Sequence, residues 1–175
     1  MAKINREQQT EDERKVLTEL QKNSNESIDT IAKHCGFSKQ KVSRIIKQLE
    51  KNYMIWGYTA IVDEQKQGLQ KYILLMKRSM QRIDDETADQ IASNRLVKEY
   101  IKLGINAESS YYINGEYDWE LIFTAPDLKT AKKFTDALLQ EYSEIISNLN
   151  LMQVIMTKRS HNILNPEKMK LKEFL

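Results

Sequence analysis

Between Ile28 and Ile46 two short runs of helical periodicity are separated by a single glycine, and that spacing leaves few ways to fold this stretch. Ser27 is placed to cap a helix through Cys35, with Ile28, Ile31 and Ala32 on its inner side. Gly36 ends it, because glycine enters the left-handed C′ conformation without steric cost. Ser38 then caps a helix from Lys39 to about Asn52, where Val42, Ile45, Ile46 and Leu49 form a narrow apolar stripe. Ala32 is small where two helices must cross closely, and Ile31, Cys35, Phe37, Val42 and Ile45 supply the contacts that lock them. An earlier run from about Thr10 to Asn23, with Val16, Leu17 and Leu20 on one face, predicts a third helix. The pattern is that of a helix-turn-helix. The blander alternative is a generic helical hairpin in a three-helix domain.

Charge does not decide by itself, but joined to the apolar pattern it puts the DNA-binding reading ahead. Residues 1–60 carry 11 Lys/Arg against 8 Asp/Glu, a net of +3; residues 61–175 carry 16 against 17, a net of −1. Within the first part, Ser38–Asn52 concentrates Lys39, Lys41, Arg44, Lys47 and Lys51 against Glu50 alone. The outward positions of the second helix are Lys39, Gln40, Ser43, Arg44 and Lys47, which face one groove together. Such a face is the electrostatic footprint of a polyanion-binding element. Arg44 and Gln40 are types that read base edges, while the lysines and Ser38 suit phosphates. Double-stranded DNA is the expected partner, and a solvated basic helix face is the competing reading.

Beyond residue 57 the periodicity changes. Tyr58, Ala60 and Val62 alternate with Thr59 and Ile61, which reads as β structure, and 63–69 is a polar, turn-like linker. The remainder reads strand, helix, strand, strand, helix, strand. Tyr72–Met76 is an apolar run of strand length; 84–94 is a helix with Ala88, Ile91 and Ala92 inward and acids at its first turn. Val97–Ile105 is a strand candidate. Tyr111–Ile113 and Trp119–Phe123 pair around Asn114-Gly115, a favoured turn dipeptide. Leu128, Ala131, Phe134, Leu138, Tyr142 and Ile145 keep helical spacing after Pro126, and Leu149–Thr157 is the last strand. The order is that of a ferredoxin-like βαββαβ module. Its two helices cover one sheet face, so the other needs a partner. The expected class is α+β: a DNA-binding domain over 1–62, a linker over 63–69, the βαββαβ domain over 70–159 and an extension over 160–175. In that extension Asn165, Pro166 and Glu167 read as a helix start, with Met169, Leu171, Phe174 and Leu175 apolar.

Composition narrows the function classes. The 175 residues are 41% apolar and 30% charged, enough to bury a core and stay dispersed. No apolar run approaches the ~18 residues that span a bilayer. Met1–Asp12 lacks the apolar stretch of a secretory signal, so a cytoplasmic protein is expected. One cysteine, Cys35, excludes an internal disulfide and a multi-cysteine zinc site. It reads as a small buried hydrophobe. His34 beside it points elsewhere on the helix, and His161 has no obvious partner. No Ser-His-Asp or Cys-His set follows from spacing. No catalytic residue, metal or cofactor is expected.

Two ordered motifs then carry a resemblance. After the helix-turn-helix comes Leu49-Glu50, then Ile55-Trp56-Gly57-Tyr58-Thr59-Ala60-Ile61-Val62-Asp63; further on stands Asn114-Gly115-Glu116-Tyr117-Asp118-Trp119-Glu120-Leu121. From about Asp12 to about Arg159 the chain resembles the Lrp/AsnC family, the leucine-responsive and asparagine-responsive transcription regulators. The second motif is similar to the Gly-x-Tyr-Asp loop of that family's RAM (regulator of amino-acid metabolism) domain. The resemblance implies a winged helix-turn-helix domain joined to a βαββαβ domain that pairs into dimers, which often assemble into octamers or other higher oligomers. It implies a small effector, commonly an amino acid, near Gly115, Tyr117 and Asp118. The alternative for those three is a tight turn: Gly for positive φ, Tyr for packing, Asp for a local backbone bond. Sirohaem decarboxylases share the two-domain resemblance and supply the rival, enzymatic reading.

Overall fold

The computed structural model describes residues 2–93, 95–167 and 172–173. The chain divides into two units, one of Met1–Ile61 with Thr157–Leu175, the other of Val62–Met156.

In the first unit α1 (Ala2–Lys22), α2 (Ile28–Cys35) and α3 (Lys39–Lys51) pack around Val16, Leu20, Ile31, Ala32, Val42, Ile45 and Leu49, all buried. Helix α1 starts well before Thr10. Cys35 and Phe37 are half-buried against this core, as their spacing suggests, but Ile28 is exposed. It stands at the first position of α2, a turn short of the Ile31–Ala32 contact. Residues 58–62 have no ladder partner and are exposed throughout, so the alternation there does not make a strand. Extended backbone becomes a strand only when another strand takes its N–H and C=O groups, and none does among the described residues. Near the C-terminus, β5 (Arg159–Ser160) and β6 (Ile163–Leu164) form a small hairpin with His161 and Asn162 at positive φ between them. Asn165 Oδ1 accepts a bond from the Glu167 N–H, a turn at the place where a helix start is expected; Met169, Leu171, Phe174 and Leu175 lie outside the described residues.

The second unit is a four-stranded antiparallel sheet in the order β2-β3-β1-β4, from β1 (Gln70–Arg78), β2 (Asn106–Tyr112), β3 (Trp119–Ala125) and β4 (Ile146–Gln153). Helices α4 (Asp85–Ala92) and α5 (Arg95–Tyr100) link β1 to β2, and α6 (Leu128–Glu141) links β3 to β4. This is the βαββαβ order, with one local exception. Val97–Ile105 is not a strand: α5 and a single 3₁₀ turn occupy most of it. Val97 and Tyr100 pack against the core three residues apart, which is helical and not strand spacing. Gly104, at φ 85°, closes the turn; a Cβ there would meet Pro126 Cγ at 2.8 Å. The last strand begins at Ile146, three residues earlier than the apolar run suggests, because Ile145 and Ile146 are both drawn into the core.

Alternation sets the two sheet faces. Tyr72, Leu74 and Met76 of β1 and Leu121, Phe123 and Ala125 of β3 are buried against Ala131, Phe134 and Leu138 of α6. The opposite face carries Ile73 beside its cross-strand neighbours Ile122 and Met152. These three keep partial exposure and form an apolar strip.

Candidate nucleic-acid interface and effector loop

The turn of the helix-turn-helix is built by local hydrogen bonds. Ser27 Oγ accepts from the Thr30 N–H at 3.1 Å, and Ser38 Oγ accepts from the Lys41 N–H at 3.2 Å, so each helix begins on a satisfied cap. Gly36 adopts φ 69° and donates to the Lys33 carbonyl, while Phe37 donates to the Ala32 carbonyl at 2.9 Å. These bonds hold α3 with Val42, Ile45 and Leu49 inward. Lys39, Gln40, Arg44 and Lys47 are exposed and Ser43 is half-buried, so the predicted outward set shares one face.

Hydrogen bonds and ion pairs divide the basic side chains of α3. Lys39 pairs with Asp29 of α2. Lys41 Nζ lies 2.7 Å from Asp12 Oδ2 of α1 and 3.9 Å from the centre of the Phe37 ring, so its charge works inside the fold. Arg44 and Lys47 have no acidic partner among the described residues, and their charges project into solvent. Ser38 Oγ accepts the cap bond and its O–H is left for donation. His34 Nδ1 meets Glu19 Oε2 at 2.7 Å, joining α2 to α1. Lys22, with His34, holds the Glu19 carboxyl below the usual carboxylate range. Burial pushes the Cys35 thiol up, which favours its protonated form.

Gly115, Tyr117 and Asp118 lie in the six-residue connection between β2 and β3. Neither Asn114 nor Gly115 has a positive φ, so the two-residue turn favoured by Asn-Gly does not form, and Gly115 is not there for the left-handed region. Gly115 is exposed and Tyr117 half-buried. Asp118 closes the loop: its N–H donates to the Met76 carbonyl at 2.9 Å, its carbonyl accepts from Ile113 at 2.8 Å, and its Oδ2 accepts from the Arg78 N–H at 2.7 Å. Arg78 belongs to the same corner and sequence reasoning missed it. Its guanidinium lies 6.0 Å from the Trp119 ring and makes only long contacts of 3.4 Å, to Tyr112 Oη and to the Gln81 carbonyl. Its Nε is buried without a hydrogen-bond partner. The lack of any acidic residue beside it in sequence leaves no local signal for this role.

No helix among the described residues is long and apolar enough to cross a membrane. The family model described as winged helix-turn-helix DNA-binding matches residues 13–52, which span the second half of α1, all of α2, the turn and α3. An uncharacterized HTH-type transcriptional regulator of Bacillus subtilis, YugG, is 27% identical over 158 residues, covering 87% of this chain and 88% of its own. An uncharacterized HTH-type regulator of Pyrococcus furiosus is 23% identical over 143 residues, covering 81% and 86%. Among solved structures, the L-methionine complex of a transcriptional regulator from Neisseria meningitidis superposes with a TM-score of 0.65 at 19% identity, covering 94% of this chain and 97% of that one. An AsnC family regulator from Agrobacterium tumefaciens gives 0.63 at 18%, covering 90% and 97%. With the DNA-binding motif matched on α1–α3 and the architecture shared along almost the whole length, this chain is a helix-turn-helix transcription regulator with the two-domain fold of the Lrp/AsnC family.

Proposed function

We propose that the protein binds a two-fold symmetric DNA site as a homodimer or higher oligomer in the cytoplasm, and that an amino acid modulates this binding. The observation that carries the DNA reading is the division of charge on α3. Lys39 and Lys41 are held by Asp29 and Asp12, while Arg44 and Lys47 project unpaired beside Gln40 and Ser43. Arg44 and Gln40 read base edges; Lys47 and the Ser38 hydroxyl contact phosphates, as does Lys39, whose exposed pair with Asp29 leaves N–H donors over. The apolar strip of Ile73, Ile122 and Met152 supports dimerisation through the open sheet face. Genome-wide mapping of bound sites tests the reading. A two-fold motif with half-sites one turn, ~34–36 Å, apart or a multiple of it is expected; bound sites with no common motif would overturn it.

The effector reading rests on Gly115, Tyr117 and Asp118, with Arg78 added. An amino acid carries opposite charges on one carbon. Asp118 is suited to its ammonium, and the Arg78 guanidinium, whose Nε has no partner, to its carboxylate. Two related folds hold L-methionine: the Neisseria regulator and the feast or famine regulatory protein of M. tuberculosis. Calorimetry against the twenty amino acids is expected to find a binder, and Asp118→Asn to weaken it while leaving effector-free DNA affinity unchanged. If none binds, the loop is structural. The matches to DNA-binding regulators favour this function over a sirohaem decarboxylase-like enzyme. A sirohaem absorbance change with product formation on incubation would reverse that preference.

A further inference from the structure

The second unit holds a cavity that neither DNA nor the effector loop uses. It lies between the covered face of the sheet and α4, α5 and α6, with Met76, Ile91, Trp119 and Leu138 among its walls and a volume of about 90 Å³. One water needs ~10–15 Å³ of such space, so the cavity has room for a compact molecule of roughly six non-hydrogen atoms. The cavity is open to solvent on one side, where Ser110 is exposed. None of the lining residues among the described ones is Asp, Glu, Lys, Arg or His. A charged guest would give up its hydration there without a compensating partner. Free amino acids and carboxylates therefore suit it poorly, which sets its chemistry apart from that of the adjoining Asp118 corner, with which it shares Met76 and Trp119.

Three lining side chains carry a hydroxyl or an amide, the buried Tyr142, the half-buried Gln90 and the exposed Ser110, and the last two mark the guest's other property. Ser110 stands opposite Leu121 in the β2–β3 ladder, on the helix side of the sheet, and Gln90 comes from α4. Neither side chain has a hydrogen-bond partner among the described residues. An apolar pocket with a few polar groups is the general form of a small-molecule site. We propose that this cavity binds a small uncharged molecule with a compact aliphatic body and one hydroxyl or carbonyl end, the end held by Ser110 and Gln90.

Trp119 reports on occupancy once Trp56, the second tryptophan and 94% exposed in the other unit, is replaced by Phe. Three probes share one branched body: 2-methylpropan-1-ol, 2-methylpropanoate and valine. The alcohol is expected to shift Trp119 emission saturably and to raise the melting temperature; the carboxylate and valine are expected to do neither. Ile91→Phe fills the cavity and is expected to raise the ligand-free melting temperature and abolish the response. Ser110→Ala removes one handle and is expected to weaken the alcohol about 3–10-fold; it carries the decision if Ile91→Phe fails to fold. No saturable response to the alcohol, or a response that survives Ile91→Phe, would overturn the proposal. A stronger response to valine would also overturn it and assign the cavity to the amino-acid site.

Discussion

Arg44 and Lys41 stand three residues apart on one basic helix, yet the fold assigns them opposite duties, and substituting each by alanine should separate stability from recognition. Arg44 is exposed with no acidic partner among the described residues, so Arg44→Ala removes little from the folded state. If its guanidinium reads a guanine, the loss is ~1–3 kcal/mol of discrimination, about 5- to 150-fold between operator and random duplex. Lys41→Ala deletes the 2.7 Å bridge to Asp12 and the contact over Phe37. Exposed pairs contribute ~0–1 kcal/mol, and breaking a buried pair costs ~3–5. With side chains 33% and 12% exposed, this pair falls between, and a loss of about 1.5–2.5 kcal/mol follows. At ~4–8 °C per kcal/mol for a domain of this size, the first unit should melt roughly 6–20 °C lower. Circular dichroism melts and anisotropy titrations on the mapped operator and a mixed-sequence duplex, over a salt series, read both effects. Equal loss on the two duplexes for Arg44→Ala would remove it from base reading. An unchanged melt with weaker binding for Lys41→Ala would place that ammonium at phosphates and refute the division.

Lys47→Ala should weaken binding to every sequence and reduce the salt slope by about one, in the same titrations. Ile73→Lys sets a charge in the Ile73–Ile122–Met152 strip and should shift the full-length protein toward monomer in sedimentation; an unchanged species would exclude that face as the interface. Asp127 caps α6, and the N–H of Thr130 holds its carboxyl below the usual carboxylate range. The unfolded chain therefore binds that proton more tightly than the folded one. The resulting stability is complete above the ordinary value of about 4 and is lost as pH falls through the lowered folded-state value. Asp127→Asn keeps a cap without a titrating group, so denaturation midpoints across acid pH should flatten.

What was legible in the sequence was what adjacent residues decide. Ser27, Gly36 and Ser38 act on backbone groups within a few residues, so α2, the turn and the start of α3 are written locally. The apolar run Tyr72–Met76 forms a strand as its length suggests, because one sheet face is buried and the other partly so, while which residues face the core was not written in the run itself. Three features were not legible. The stretch after Val97 mixes apolar and charged residues at nearly period two, and only the core contacts of Val97 and Tyr100 select a helix. The His161–Asn162 turn demands two positive φ values, for which Asn162 was a weak signal and His161 none. The Lys41–Asp12 and Asp118–Arg78 contacts join residues far apart in the chain, so no window could expose that Lys41 is structural or that Arg78 sits at the loop.

The Asp118–Arg78 bond changes how the effector reading has to be posed. A local backbone bond and an effector contact look like rival roles for Asp118, but a carboxylate has two oxygens. Oδ2 takes the Arg78 N–H, and the Asp118 N–H to Met76 continues the β1–β3 pairing into the loop. Asp118 therefore holds the strand ends together whether or not a ligand is present. Removing its side chain would loosen the loop and the guanidinium of Arg78 in one step, and a loss of ligand would mean nothing. Asparagine leaves a carbonyl oxygen to accept from Arg78 and removes only the charge, which is the part an ammonium recognises. A ligand that uses the charge can shift an assembly equilibrium only by the difference in its affinity for the two assemblies. The informative quantity is thus ligand affinity measured at fixed oligomeric state, and in that measurement the charge and the backbone bond of Asp118 come apart.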